Sequence, residues 1–329
     1  MASALVDPHG RTVRDLRISI TDRCNFRCTY CMPQEGMQWL PRQDLLSYEE
    51  LTRVARICVE RFGFGSIRIT GGEPTVRAHL PVLIERLAEL GVDISMTTNA
   101  ATLSLLAADL HRAGLQRINV SCDSLRPERF AAITGRDALA RVLDGIDAAV
   151  EAGLDPVKVN CVVVRGVNDD EVADFADFGR RRGVEVRFIE WMPLDGDGRW
   201  TDAQVVPAAE ILAAIGARFP IEPDEEPRGS MPAQRYRYVD GAGRVGVIGS
   251  VTESFCSSCD RIRLTAEGQL RNCLFAVREA DLRSILRSGG SDDDVATAIE
   301  AEVGRKWAGH SIGQVTFIRP DRSMSQIGG

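Results

Sequence analysis

Residues 16–31 read LRISITDRCNFRCTYC. The first five letters alternate apolar and polar side chains, the pattern of a strand with two unlike faces. The run then breaks into a turn that carries Cys24, Cys28 and Cys31. The same join of strand to unusual residues recurs downstream. SIRIT (66–70) runs into GGEP (71–74), RINVS (117–121) into SCDS (121–124), and VEVRFIE (184–190) into EWMP (190–193). DISMT (93–97) and VKVNCVVV (157–164) complete six short strand candidates rich in Val and Ile. Amphipathic helices separate them. The clearest begins after Ser47, with Glu50 closing a capping box and Leu51, Val54, Ala55, Cys58 and Phe62 on one face. Six strand–helix units in series predict an α/β fold with a parallel sheet, either a curled partial (β/α)6 barrel or an open doubly wound sheet. In such barrels the chemistry collects at the C-terminal ends of the strands, where the unusual residues fall here.

After about residue 218 the pattern changes. EPDEEPRGSMPAQ (222–234) is Pro-rich and charged and reads as a linker or exposed loop. Short strand candidates follow (RYRYV, RVGVIG, RIRLT and QLRNCLF, within 235–275), then helices near 279–288 and 292–307. Two units are expected, 1–217 and an α+β extension, 218–329, closing the barrel mouth.

Composition narrows the function. With 329 residues, 44% of them hydrophobic, the chain can bury a large core. A net charge of −7 argues against a broad nucleic-acid footprint, though local basic pockets remain open to small anions. No window approaches a membrane span, and the N-terminus lacks a basic start followed by an apolar stretch, so a cytoplasmic protein is expected. Thiols stay reduced there, and clustered cysteines then mean metal or catalysis. Of the nine cysteines, Cys58, Cys122 and Cys161 stand singly in apolar segments and read as core.

Cys24, Cys28 and Cys31 have no histidine near them in sequence, so they make an incomplete zinc site. Three thiolates do suit a four-iron cluster that keeps one iron open for a non-protein ligand. Cys256, Cys259 and Cys273, spaced two and thirteen apart, form a second triplet that would read as a zinc ribbon in isolation. Arg17, Arg68, Arg261 and Arg263 lie in strands beside these motifs, where their permanent charge and planar fork suit an anionic ligand. Gly71 and Gly72 are expected to let the backbone approach a ligand closely.

CNFRCTYC resembles the radical S-adenosylmethionine signature, C-x3-C-x-aromatic-C, with Tyr30 in the aromatic slot, and GGEP resembles the glycine-rich motif of that superfamily. The resemblance implies a partial (β/α)6 barrel. It implies a first 4Fe–4S cluster whose open iron chelates the amino and carboxylate groups of S-adenosylmethionine, and release of a 5′-deoxyadenosyl radical. With the second triplet included, nearly the whole chain, from LRISITDRCNFRC to SQIGG, resembles the GTP 3′,8-cyclase family of molybdenum cofactor biosynthesis. That likeness implies a second 4Fe–4S cluster at Cys256, Cys259 and Cys273, with its open iron on the guanine base. It assigns Tyr30, Gly72, Ser121 and Met192 to S-adenosylmethionine, and Arg17, Arg68, Thr97, Lys158, Arg261 and Arg263 to GTP, with Arg187 a further candidate. It also implies that the tail, Gly328 and Gly329, enters the active site. Ser66 departs from the family, where a lysine near the triphosphate is expected.

Implied partners are a flavodoxin-like or ferredoxin-like reductant and a cyclic pyranopterin monophosphate synthase that receives the product. No nucleic acid or membrane is expected, and the chain is expected as a monomer or homodimer. A radical peptide-modifying enzyme with an auxiliary cluster and a non-catalytic metal-binding regulator are the alternatives. The first should lack the arginines beside both motifs, and the second gives no reason for GGEP after a strand.

Overall fold

The computed structural model describes residues 3–33 and 37–328. The six expected strands form, as β1 (Asp15–Ser19), β2 (Ser66–Thr70), β3 (Asp93–Thr98), β4 (Arg117–Ser121), β5 (Val157–Val163) and β6 (Glu185–Glu190). They pair in chain order and all in parallel. Helices cover the outer face. The capping box at Ser47 and Glu50 starts the helix Tyr48–Phe62, and Gly63, left-handed at φ 69°, ends it. Its face of Leu51, Val54, Ala55, Cys58 and Phe62 is buried, as the periodicity requires. Cys58, Cys122 and Cys161 are core residues.

The C-terminal third extends this sheet at both edges. It contributes β7 (Ile221–Pro223), β8 (Gln234–Tyr238), β9 (Arg244–Ile248), β10 (Arg261–Leu264), β11 (Gln269–Arg271) and β12 (Ala280–Asp281). The order is β12-β11-β10-β1-β2-β3-β4-β5-β6-β9-β8-β7, with β9 parallel to β6 and β10 parallel to β1. Eight parallel strands thus curl around one interior, and the sheet stays open. The connection 249–260, which carries Cys256 and Cys259, passes from the β9 edge to the β10 edge.

Two expectations change. Of the two readings of 222–234 the linker fails, because β7 and β8 pair antiparallel on either side and Pro232 reaches the wall of the central cavity, while the exposed loop holds at Glu225, Glu226 and Pro227. QLRNCLF is a strand only to Arg271, leaving Cys273 in the turn that follows. The helices Leu282–Arg287 and Asp292–Val303 lie against the helix Tyr48–Phe62, joined through Arg53 and Asp292 at 2.6 Å. Among the described residues no helix is long and apolar enough to cross a membrane.

Candidate active site

Strand alternation sends Leu16 and Ile18 outward into the apolar core and Arg17 and Ser19 inward. Register then stacks like charges, because Arg17 lies directly beside both Arg68 on β2 and Arg263 on β10. Like charges placed opposite one another disfavour pairing. Among the described residues none of the three makes an ion pair, and Asp15 is the carboxylate whose charge reaches Arg17 and Arg68. Arg68 Nε donates to Ser95 Oγ at 3.2 Å, Arg263 donates to the Gly328 carbonyl oxygen, and Arg17 Nε has no partner. Arg187 pairs with Glu185 at 2.5 Å yet leaves Nη2 free, and Arg261 leaves Nε and Nη2 free, with Asp260 at 3.8 Å. Burial, then the charge of Arg68, presses the Arg17 guanidinium down to about 9. Burial and then Arg17 lower Arg263 well below the usual arginine range. Buried donors of this kind are orphaned unless an anion takes them. The arrangement fits a polyphosphate.

The first cysteine loop is clamped to the GGEP turn, for a reason other than the one expected of its glycines. A Cβ on Gly71 would lie 2.5 Å from the Thr21 carbonyl oxygen, and one on Gly72 would lie 2.3 Å from that of Arg23. The close approach is therefore backbone to backbone. It is held by Gly72 N–H to Thr21 O at 2.7 Å and Glu73 N–H to Arg23 O at 2.8 Å. Glu73 is buried and accepts from Thr75 N–H (3.0 Å), Thr75 Oγ1 (2.6 Å), Thr98 Oγ1 (2.6 Å) and Asn99 N–H (2.6 Å). Asn99 in turn donates to Asn25 Oδ1 at 2.7 Å and lies 3.7 Å from Cys24 Sγ. Across the loop, the Tyr30 hydroxyl donates to buried Asp123 at 2.6 Å, while Asp123 also accepts from Val162 N–H at 2.8 Å. Burial pushes Cys24 up to about 11 and Cys31 to about 12. These thiols need an added cation to ionise.

The second triplet sits in the opposite electrostatic setting. Burial raises Cys256, but hydrogen bonds from His310 and Ser254 outweigh it and bring the thiol down to about 6. Cys259 is lowered as well, burial being overcome by Arg261 and Lys306, whereas burial keeps Cys273 raised. A histidine therefore stands beside this triplet, which the sequence does not reveal. Chain separation hid it, since His310 arrives on the segment after the last long helix and stacks on Phe275 at 5.2 Å.

All six thiols are unpaired and line one cavity. Tyr30, Gly72, Ser121 and Met192 share its walls, as do Arg17, Arg68, Thr97, Arg187, Arg261 and Arg263. No three Cys, His, Asp or Glu side chains among the described residues gather around a point where a single ion would sit. A four-iron cluster bonds each thiolate to a different iron and so suits thiols spread around a larger body. The donors present fit that group at both triplets.

Lys158 is the exception among the expected residues. It is buried on β5 beside Asn119 and Glu185 but does not line the cavity. Ser66 is also off the wall, with Asp15 and Asp93 as its strand neighbours. Gly328 meets Arg263 as described, while Gly329 lies outside the described residues. Glu73 and Asp123 were overlooked in sequence, although each is an acid at the end of a parallel strand, in GGEP and SCDS.

Comparison with known proteins agrees with this geometry. Residues 18–179 match the radical SAM superfamily, and residues 184–312 match the family described as Molybdenum Cofactor Synthesis C. A Streptomyces coelicolor protein named GTP 3′,8-cyclase is 48% identical, with 100% of this chain and 97% of that protein covered. A Mycobacterium tuberculosis GTP 3′,8-cyclase 2 is 48% identical, covering 99% of this chain and 92% of its own length. Among solved structures, anSMEcpe with bound AdoMet aligns at TM-score 0.60 and 16% identity, over 89% of this chain and 81% of its own. Streptococcus suis SuiB bound to S-adenosylmethionine aligns at TM-score 0.59 and 15% identity, over 89% of this chain and 69% of its own. These two share the fold. With full-length relatives at 48% identity and both halves matched, the chain belongs to the GTP 3′,8-cyclase family of radical S-adenosylmethionine enzymes.

Proposed function

We propose that the protein is a GTP 3′,8-cyclase that makes 3′,8-cyclo-7,8-dihydro-GTP for molybdenum cofactor biosynthesis. One observation carries this: two thiol triplets face one cavity together with Arg17, Arg68 and Arg263, which stand side by side and make no ion pair among the described residues. Cys24, Cys28 and Cys31 would hold one four-iron cluster, within 1–217, and Cys256, Cys259 and Cys273 the other, within 218–329. When bound, the first cluster and S-adenosylmethionine would supply a carbon radical able to take hydrogen from the ribose C3′; C3′ would then bond to C8 of the guanine, with one electron from the reductant and one proton completing the dihydro product.

The chain's own residues position and shield. Gly72 and the turn fixed by Glu73 receive the methionyl end of the cofactor, beside Tyr30, Ser121 and Met192. The Tyr30–Asp123 hydrogen bond holds the cysteine loop against β5. Arg17, Arg68, Arg261 and Arg263 receive the triphosphate, with Thr97 and Arg187 on the adjoining walls. Their donors are fixed by strand register before the ligand arrives, so little ordering cost falls on binding. Met192, Cys273, Leu274 and Met324 pack against buried Leu194, Phe275 and Ile327 in a small apolar cluster that keeps water from this side. A flavodoxin-like or ferredoxin-like protein would supply electrons in the cytoplasm, and a cyclic pyranopterin monophosphate synthase would take the product.

The test is anaerobic incubation of cluster-loaded protein with S-adenosylmethionine, dithionite and GTP, followed by chromatographic separation of the nucleotides and fragmentation mass analysis of each. A cyclised product isobaric with GTP is expected. Cofactor cleavage with GTP recovered unchanged, and a modified peptide instead, would overturn it.

A further inference from the structure

Behind the second triplet, outside the cavity wall, lies a buried ammonium. Lys306 Nζ donates to the Arg261 carbonyl oxygen at 2.7 Å and to that of Asn272, which fixes it between the chain segments bearing Cys259 and Cys273. It is 3% exposed and pairs with no carboxylate among the described residues. The buried acid nearest to it in sequence, Glu302, lies toward Arg305 at 3.7 Å. Arg11 adds a further cation nearby, itself held by Asp7 at 2.5 Å and by the carbonyl oxygens of Cys256 (2.6 Å) and Ala308 (2.8 Å). The acidic groups whose charge reaches Lys306 are the thiols of Cys259 and Cys273, which become anions when they bind a metal cluster.

A buried charge without a counter-ion is strongly disfavoured, so such a lysine requires a negative partner in the working protein. The first triplet has the reverse surroundings. Buried Glu73 acts on Cys24, and buried Asp123 acts on Cys28 and Cys31, with Arg27 the cation beside Cys24. Net charge and hydrogen bonding around a cluster help set its reduction potential.

We propose that Lys306 is the built-in counter-cation of the Cys256–Cys259–Cys273 cluster and, as a positioning residue, holds its reduction potential above that of the cluster at Cys24, Cys28 and Cys31. This rests on the reading that both triplets hold clusters. An electron would then settle preferentially at the cluster facing the substrate base.

The experiment compares wild type, Lys306→Met and Lys306→Arg, each reconstituted anaerobically and titrated electrochemically with both clusters followed by electron paramagnetic resonance. The wild type is expected to reduce the second cluster first. In Lys306→Met the oxidised-to-reduced ratio of that cluster at fixed potential should rise at least tenfold, which is 59 mV for a one-electron couple. The first cluster should not move, and Lys306→Arg should retain most of the effect. Selective loss of the second cluster from Lys306→Met, with full loading in Lys306→Arg, would also support the charge role. An unchanged potential, equal shifts at both clusters, or equal cluster loss in both variants would overturn it. Iron and sulfide for only one cluster in the wild type would instead overturn the underlying two-cluster reading.

Discussion

The carbonyl oxygen of Gly328 accepts a hydrogen bond from the guanidinium of Arg263, a residue 65 positions earlier on β10. The short helix Met324–Ile327 delivers it, capped by Ser323 and Gln326 and anchored by buried Ile327. The tail thus ends on the same arginine row that faces the cavity, and it occupies one donor that the row has to offer.

Gly328 is held at φ 73°, and a Cβ there would lie 2.6 Å from Thr70 Cγ2 and 3.1 Å from Ser19 Oγ. The left-handed backbone alone costs a non-glycine residue about 1–2 kcal/mol. Gly328→Ala should therefore expel the tail while leaving the fold and both clusters in place. Product formed per S-adenosylmethionine cleaved should fall at least tenfold, with cofactor cleavage continuing uncoupled. An unchanged ratio would mean that the tail has no part in turnover.

The arginine row sets nucleotide choice. Hydrogen bonds to charged groups contribute about 1.5–3 kcal/mol each, or roughly ten- to a hundredfold in affinity. GTP should bind far better than guanosine, and Arg17→Ala should weaken GTP by one such factor while guanosine binding stays level. The two ligands are compared by calorimetry on protein whose iron content is first shown to be unaltered. Equal losses for both would place Arg17 away from the phosphates.

Glu73 accepts from four donors, two on Thr75 within its own turn and two, Thr98 Oγ1 and Asn99 N–H, at the end of β3, which ties the GGEP turn to that strand. Glu73→Gln keeps the shape but turns an amide N–H toward a donor. Leaving such a buried group unsatisfied costs about 1–3 kcal/mol. The variant should melt lower and bind S-adenosylmethionine more weakly, with the second cluster unaffected. Unchanged cofactor binding would restrict Glu73 to holding the fold.

Much of this architecture was legible because two short-range signals coincide. Alternation of Leu16, Arg17, Ile18 and Ser19 marked a strand, and its direct continuation into Cys24 marked which end carries chemistry. The strand-borne arginines were legible for the same reason, being polar residues at inward positions of buried strands. What escaped depends on chain returning from afar. His310 and Lys306 reach the second triplet on an irregular segment with no periodicity to place it, and β9 and β10 join opposite edges of the sheet across twelve intervening residues (249–260). The glycines of GGEP were legible as a constraint, but the clash behind it, with the carbonyls of Thr21, Asp22 and Arg23, is visible only in three dimensions.

Lys158 separates two roles through pH. Burial, followed by the charge of Arg187, lowers its ammonium from 10.5 to about 7. Below pH 7 it is charged before GTP arrives, whereas at pH 8.5 it is mostly neutral in the free protein. A triphosphate beside it would favour the charged form, so the bound state would hold more protons than the free state. The sign follows from linkage: binding takes up a proton above about pH 7, and affinity declines as pH rises through that range. Calorimetry at pH 8.5 in two buffers of different ionisation enthalpy measures this uptake directly. The wild type should take up close to one proton more than Lys158→Met, and the difference should vanish at pH 6. Equal uptake in both proteins would show that Lys158, which does not line the cavity, neutralises Glu185 within the barrel and does not meet the phosphates.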